Sequence, residues 1–235
     1  MLQNEFMQQV ALNIHLRVDA TFDNFFVTNN QVLITYLQQF CQQTKDQVIY
    51  VWGETGSGKS HLQQAMCHLA RENKISVFYL SLKNFVEYDP KMLEALDNFA
   101  LICIDDVDAI AGNADWEEAV FHFYNRTLEK KHKLFFTASK LPQNIPFKLA
   151  DLQSRLQWGL LFQLNALPDQ EKCNALKLQA INRGINLSND VIEFLLKRCQ
   201  RDMHELSRIF DTLDHASIIA KRKITIPFVK EVLGI

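Results

Sequence analysis

The chain has 235 residues, 48% of them apolar, with 25 Lys and Arg against 27 Asp and Glu. That length suffices for one large or two small domains with a buried core, and a formal net charge of −2 leaves the molecule little of the counterion release that drives nucleic-acid binding. The sequence has none of the runs of roughly eighteen apolar residues that span a bilayer, no basic leader before an apolar stretch, and five scattered cysteines (41, 67, 103, 173 and 199) without a CxxC pair; these exclude a membrane span, a secretory signal and a zinc or disulfide framework, and suit a reducing cytoplasm.

The first sixteen residues are Gln-rich without a long amphipathic period and read as an extended tail. A helix is expected over Gln31–Gln43, a strand at Val48–Trp52, and a helix from Lys59 to about Glu72. Val77–Leu80 and Leu101–Ile104 are short apolar runs of the kind buried on both faces of a parallel sheet. A helix over Trp116–Lys131, a strand at Leu134–Thr137 and a fifth strand at Leu160–Leu164 complete an alternation that implies βαβ crossovers in an α/β, doubly wound, five-stranded parallel sheet. After Leu167 the pattern becomes all-helical, with Asp169–Asn182, Ser188–Cys199, Asp202–Lys221 and Pro227–Leu233. Ser188 and Asp190 give N-terminal capping character there, and Gly184 sits just past the first of these helices. Eleven Lys and Arg against nine Asp and Glu from Pro168 onward leave no concentrated basic face of the kind a DNA-reading module carries.

Gly53, Glu54, Thr55, Gly56, Ser57, Gly58, Lys59 and Ser60 fit the phosphate-binding loop G-x-x-x-x-G-K-[ST] at every fixed position, between a strand and a helix. Glycines let the backbone curl so that its N–H groups face phosphate oxygens, and the helix that follows presents its positive end to the same anion. Lys59 is placed to reach the β- and γ-phosphates and the Ser60 hydroxyl to ligate magnesium. Leu101–Ile104 runs into Asp105 and Asp106. A carboxylate at the C-terminal edge of a parallel strand lies beside such a phosphate pocket, so Asp105 is the natural magnesium partner and Asp106 is placed to orient a water. The plainer alternative is an acidic cap on the next turn, to which Asp108 adds a third carboxylate.

These motifs, with Thr21–Phe25 upstream, Ile104–Gly112, Phe136–Pro142 and Leu152–Gly159, resemble the AAA+ core of the replication initiator DnaA from about Ala20 to the C-terminus. The ending 221–232 and the short length are similar to the Hda family of DnaA-homologous regulators, whose members work with the sliding clamp to make DnaA hydrolyse its ATP. The organisation implied is a tail with a clamp-binding peptide (1–16), an AAA+ nucleotide-binding domain (17–167) and a small all-helical lid domain (168–235), without the helix-turn-helix domain of the initiator. In the family's clamp-peptide position stand Gln9, Leu12 and Ile14, a polar anchor and two apolar side chains suited to an extended segment in a shallow apolar pocket. Val10 and Asn13 depart from the family's Q-L-x-L-P-L, and a plain Gln-rich tail is the other reading.

By the same resemblance Arg155, in a Ser-Arg-Leu context before Trp158-Gly159, matches the family's arginine finger. Such a finger inserted in trans is worth roughly 10³–10⁵ in rate; the alternative is a surface arginine paired with Asp151 one turn earlier. Phe22 and Phe25 are implied to help form an adenine pocket. Ser139 stands where the family senses phosphate, often with an acidic residue, and His204 where the lid carries a phosphate-sensing arginine, with Arg201 and Arg208 on the same helical face. A histidine mostly neutral near pH 7 attracts phosphate less than an arginine does. His61 and His68 read as helix-surface or packed residues rather than metal ligands.

The resemblance implies a negative regulator of chromosome replication initiation. It binds ADP or ATP with magnesium, tethers to the DNA-loaded clamp (the polymerase III beta subunit), and presents Arg155 to ATP held by DnaA. A complete P-loop with Asp105 and Asp106 also permits slow hydrolysis of the chain's own nucleotide, and a homo-oligomer stays open. The alternative is a self-standing AAA+ ATPase or helicase loader, which calls for an N-terminal helicase-binding domain or zinc site that sixteen residues do not accommodate. A sequence-specific DNA-binding repressor is disfavoured by the missing basic face.

Overall fold

The computed structural model describes residues 16–235 apart from 44, 46, 183, 184, 186 and 199–202, and within the helices leaves out the side chains of 169, 170, 179, 182, 203–205 and 207. Two compact units result: the chain through Glu54 with residues 59–165, and residues 166–235 with the four loop residues 55–58.

The first unit is built on five strands, β1 (Val48–Trp52), β2 (Val77–Ser81), β3 (Leu101–Asp105), β4 (Lys133–Ala138) and β5 (Leu160–Gln163). They pair in the order β2-β3-β4-β1-β5, every pair parallel. The parallel five-stranded sheet expected from the alternation is thus present, with each strand within two residues of its expected bounds. Because strand side chains alternate between faces, the sheet has two cores. Val48, Tyr50, Leu80, Ile102, Ile104, Leu134 and Phe136 meet one set of helices; Ile49, Val51, Leu101, Cys103 and Phe135 meet another. On the second face lie α1 (Gln31–Phe40) and α2 (Lys59–Glu72), through Leu33, Leu37 and Phe40 and through Leu62, Met66 and Ala70. On the first lie the short α3 (Leu82–Phe85), a 3-10 stretch Pro90–Asn98, α4 (Ala114–Glu129) and α5 (Ala150–Gln157). Side chains such as Phe123 and Phe135, fully buried, contribute about 1.5–3 kcal/mol each.

Local chemistry moves some ends from their expected places. α1 stops at Phe40, three residues early, where the N–H groups of Gln42 and Gln43 both turn back to the Gln39 carbonyl. α4 begins two residues early because Asn113 caps it, its Oδ1 accepting from Trp116 N at 3.4 Å. Gly159 precedes β5 at a point of close approach: a Cβ there would lie 2.8 Å from Val48 Cγ1 and 3.0 Å from the Val48 carbonyl, so only glycine enters the strand beside β1 without displacing it.

The second unit is helical: α6 (Asp169–Asn182), α7 (Asn189–Arg198), α8 (Met203–Ala220) and α9 (Ile226–Leu233). Its core gathers Leu176, Val191, Ile192, Leu195, Leu206, Leu213, Phe228 and Val229. Thr225 caps α9 through its hydroxyl, and Gly234 closes it in the left-handed conformation at φ 68°. Among the described residues no helix is long and apolar enough to cross a membrane.

Candidate functional site

The phosphate-loop motif lies between β1 and α2. Gly53 N donates to the Ala138 carbonyl at 3.2 Å, which sets the end of β1 beside the end of β4. Gly56 and Gly58 adopt φ of 76° and 104°, a region that L side chains rarely enter. Ser57, between them, is buried and its hydroxyl has no hydrogen-bond partner among the described residues. Lys59 starts α2 and is itself buried, its Nζ donating to the carbonyls of Gly53 and Glu54 at 2.8 Å each. Glu54, Thr55 and Ser60 are exposed. A curled loop, a buried hydroxyl lacking a partner, a retained ammonium and the N-terminus of a fourteen-residue helix form a donor set that fits a phosphate group.

The acidic pair is reached through β4. Strand β3 pairs with β4, and β4 with β1, so the acidic strand end lies roughly 10 Å across the sheet from the loop strand. Asp105 is buried and its oxygens are occupied: Tyr79 donates to Oδ2 at 2.9 Å, while Asp106 N at 3.2 Å and the Thr137 hydroxyl approach Oδ1. Asp106 takes a left-handed conformation (φ 55°, ψ 47°), sparsely populated by residues other than glycine. Its carboxylate accepts from Ser81 Oγ at 3.3 Å. Burial, then the charges of Asp105 and Asp108, push its pKa up, and Lys59 and Ser81 oppose the rise. Lys59 and Asp106 therefore feel one another, and the structure brings the loop and the acidic pair together. Asp108 turns elsewhere: its Oδ2 accepts from both the backbone N–H (3.1 Å) and the hydroxyl of Ser139. Asp108 therefore does not cap the turn Val107–Ile110, which has no side-chain cap, but holds Ser139 just past the end of β4.

Arg155 is the half-buried sixth residue of α5. Among the described residues no ion pair joins it to Asp151. Its guanidinium instead lies over the Trp158 ring, 4.3 Å from the centroid, and Trp158 is 69% exposed. Arg155 also edges an open hollow of about 690 Å³ whose other walls include His122, Arg126 and Glu129 of α4.

Against known families, residues 16–163 match the bacterial DnaA ATPase domain, more than half of the chain. The chain belongs to the bacterial DnaA ATPase-domain family. Residues 169–233 match the Hda lid domain, so the DnaA-homologous, Hda-type character read from the motifs holds for both units. Among solved structures, domain III of the replication initiation protein DnaA from Thermotoga maritima superposes with a TM-score of 0.79 at 19% identity, over 94% of this chain and 98% of that one. AMPPCP-bound DnaA from Aquifex aeolicus gives 0.72 at 20% identity, over 86% and 67%. A replication initiator DnaA bound to AMPPCP and single-stranded DNA gives 0.69 at 18%, over 93% and 81%. At these identities the likeness is one of fold.

On this DnaA-type frame the segment bearing Phe22 and Phe25 is clasped to α2. His61 Nε2 bonds the Thr21 carbonyl at 2.8 Å, His68 Nε2 the Arg17 carbonyl at 2.9 Å, and Gln64 Oε1 accepts from Arg17 N at 2.9 Å. His61 also meets Phe25 edge-on, with centroids 5.4 Å apart. Burial lowers the His61 pKa, and the Thr21 bond works against that. The two histidines thus hold the segment bearing Phe22 and Phe25 to the helix that starts at the loop. Phe22 and Phe25 are partly buried against the α1–α2 core. Gln9, Leu12, Ile14, Gly184, Arg201 and the side chain of His204 lie outside the described residues; Arg208 is exposed on α8. Sequence reasoning missed Thr137, Tyr79 and Ser81, which hold the acidic pair from neighbouring strands, and Glu117. None has a local signature, because each finds its partner only once the strands or loops are assembled.

Proposed function

We propose that this chain is a nucleotide-dependent regulator of DnaA: it binds an adenine nucleotide at Gly53–Ser60, tethers to the sliding clamp through Gln9, Leu12 and Ile14, and supplies Arg155 in trans to ATP held by DnaA. The observation that carries the reading is the pairing of a DnaA ATPase domain with an Hda lid in one chain. The AMPPCP carried by two DnaA neighbours favours adenine nucleotide as the ligand of the loop. Lys59, Ser57 and the N-terminus of α2 would hold the phosphates, Ser60 and Asp105 a magnesium ion, and Phe22 and Phe25 the base. Magnesium would neutralise phosphate charge there. Asp105, pinned by three donors, is a fixed acceptor, and Asp106 is the carboxylate left to orient water, which gives the chain at most slow hydrolysis of its own.

Arg155 is suited to a partner's site because its planar fork is always charged and matches phosphate oxygens, and because among the described residues it lies on an exposed Trp158 instead of in a salt bridge. The test uses purified DnaA, clamp and nucleotide with two variants. Arg155→Ala is expected to keep nucleotide and clamp binding while losing the stimulation of DnaA; Gln9→Ala is expected to lose clamp capture while keeping nucleotide. Full stimulation by Arg155→Ala overturns the mechanism, and clamp capture unaffected by Gln9→Ala overturns the tether.

A further inference from the structure

Glu117 is fully buried, yet it is a carboxylate in the first turn of α4. Its Oε1 accepts from Gly112 N at 2.7 Å and its Oε2 from Leu149 N at 2.7 Å. The first-turn position is electrostatically favourable, since an anion there meets the positive end of the helix. Both bonds are short and charge-assisted, and both go to backbone, which makes them rigid.

The two partners have separate functional neighbours. Gly112, at φ 87°, ends the turn that starts at Asp105 and Asp106 and runs through Val107–Ile110. Leu149 is the N-cap residue of α5, the helix that carries Arg155, and its apolar side chain has no acceptor to cap that helix. One buried carboxylate therefore fastens the acidic loop of the nucleotide site to the start of the Arg155 helix. A second link runs in parallel: Gln153, two residues before Arg155, donates from Nε2 to the carbonyls of Pro142 and Ile145 at 3.1 Å each, in the segment that follows β4 and Ser139.

We propose that Glu117 is a positioning residue for Arg155: by holding Gly112 and Leu149 together it makes the placement of the Arg155 helix depend on the acidic loop, and so on whether this chain's own pocket holds nucleotide. This rests on the function proposed above. Neutralising the carboxylate breaks the link at one atom, because an amide in its place offers one acceptor and turns a donor toward the other N–H. A reacting geometry displaced by about 1 Å costs on the order of 10²-fold, so loosening the helix start is expected to show in turnover rather than in docking.

Four forms of the full chain test it: wild type, Glu117→Gln, Glu117→Asp and Arg155→Ala. Hydrogen exchange with and without Mg-ADP is read at 107–112 and 150–157, and hydrolysis of ATP on DnaA is read across a titration of the chain. In wild type, Mg-ADP is expected to protect both segments. In Glu117→Gln, protection of 107–112 should persist while that of 150–157 is lost. The saturated rate should fall about tenfold to 10²-fold, with the half-saturating concentration within about twofold. Glu117→Asp keeps the buried charge but is one methylene too short to span both donors; it carries the same readouts if the glutamine variant does not fold. A merely structural role would raise exchange throughout and leave no split between the two segments. The proposal is overturned if 150–157 still responds to Mg-ADP in both variants, or if both stimulate like wild type at saturation. Arg155→Ala that stimulates normally while the exchange pattern holds would instead indict the arginine-finger reading alone.

Discussion

Two cations, Lys59 and Arg155, face opposite problems. Lys59 is buried and bonded back to the carbonyls of its own loop, while Arg155 sits half-buried on α5 against Trp158, which is 69% exposed. A lysine is a compact point charge suited to a phosphate inside its own loop; an arginine fork suits a planar, bidentate encounter with a group brought from outside. In the function proposed above, the difference separates a site that the chain would complete by itself from one that it would complete only with another molecule.

The contrast can be broken at either end. Among substitutions that leave Arg155 in place, the largest effect is expected at the inward site: Lys59→Met removes a charge-assisted bond and should weaken ADP binding about tenfold to 10²-fold in calorimetry. Clamp capture should be unaffected. Equal loss of nucleotide binding in Arg155→Ala would erase the distinction between the two cations.

A smaller effect is expected at the outward site. An exposed cation–π pair is worth about 0.5–1 kcal/mol, so Trp158→Ala should lower stimulation of DnaA about two- to fivefold. Trp158→Phe should recover most of that loss, since the ring face persists. A Trp158→Phe variant as weak as Trp158→Ala would assign Trp158 to direct contact with the partner rather than to ordering Arg155.

The smallest effect is on stability. Asp106 has its pKa raised by burial and by Asp105 and Asp108, so the folded chain holds that proton to higher pH than the unfolded chain does. As pH rises from the ordinary carboxylate value of 3.8 through the raised one, the unfolded state loses the proton first and stability falls. Asp106→Asn should cancel that decrease, giving a thermal midpoint that gains on wild type between pH 4 and neutrality. A midpoint that loses ground over the same range would mean that the Ser81 bond outweighs the repulsion.

Much of this was legible in the sequence where the information is local. The phosphate loop is eight consecutive residues, and the five strands are short apolar runs buried on both faces, so their bounds came out within two residues. The lid helices were visible from their length and caps. The sheet order was not, because β1 finds β4 and β5 by packing across long stretches of chain. The 3-10 stretch Pro90–Asn98 winds at about three residues per turn, a period that neither the helix nor the strand pattern matches. Arg155 was singled out by resemblance, but its stacking on Trp158, three residues on, depends on how α5 ends. Glu117 has its second partner 32 residues away, and nothing near it in the sequence announces a buried role.

The central claim is that Arg155 acts on a nucleotide held by another protein while Lys59 acts on the chain's own. A single-turnover measurement of ATP preloaded on DnaA tests it most directly, with clamp present and the chain added in excess as wild type, Arg155→Ala or Arg155→Lys. The account predicts that wild type accelerates hydrolysis by a factor within the roughly 10³–10⁵ range of arginine fingers, that Arg155→Ala returns it to the unstimulated rate, and that Arg155→Lys recovers little because an ammonium lacks the planar fork. Acceleration by Arg155→Ala equal to that of wild type would contradict it.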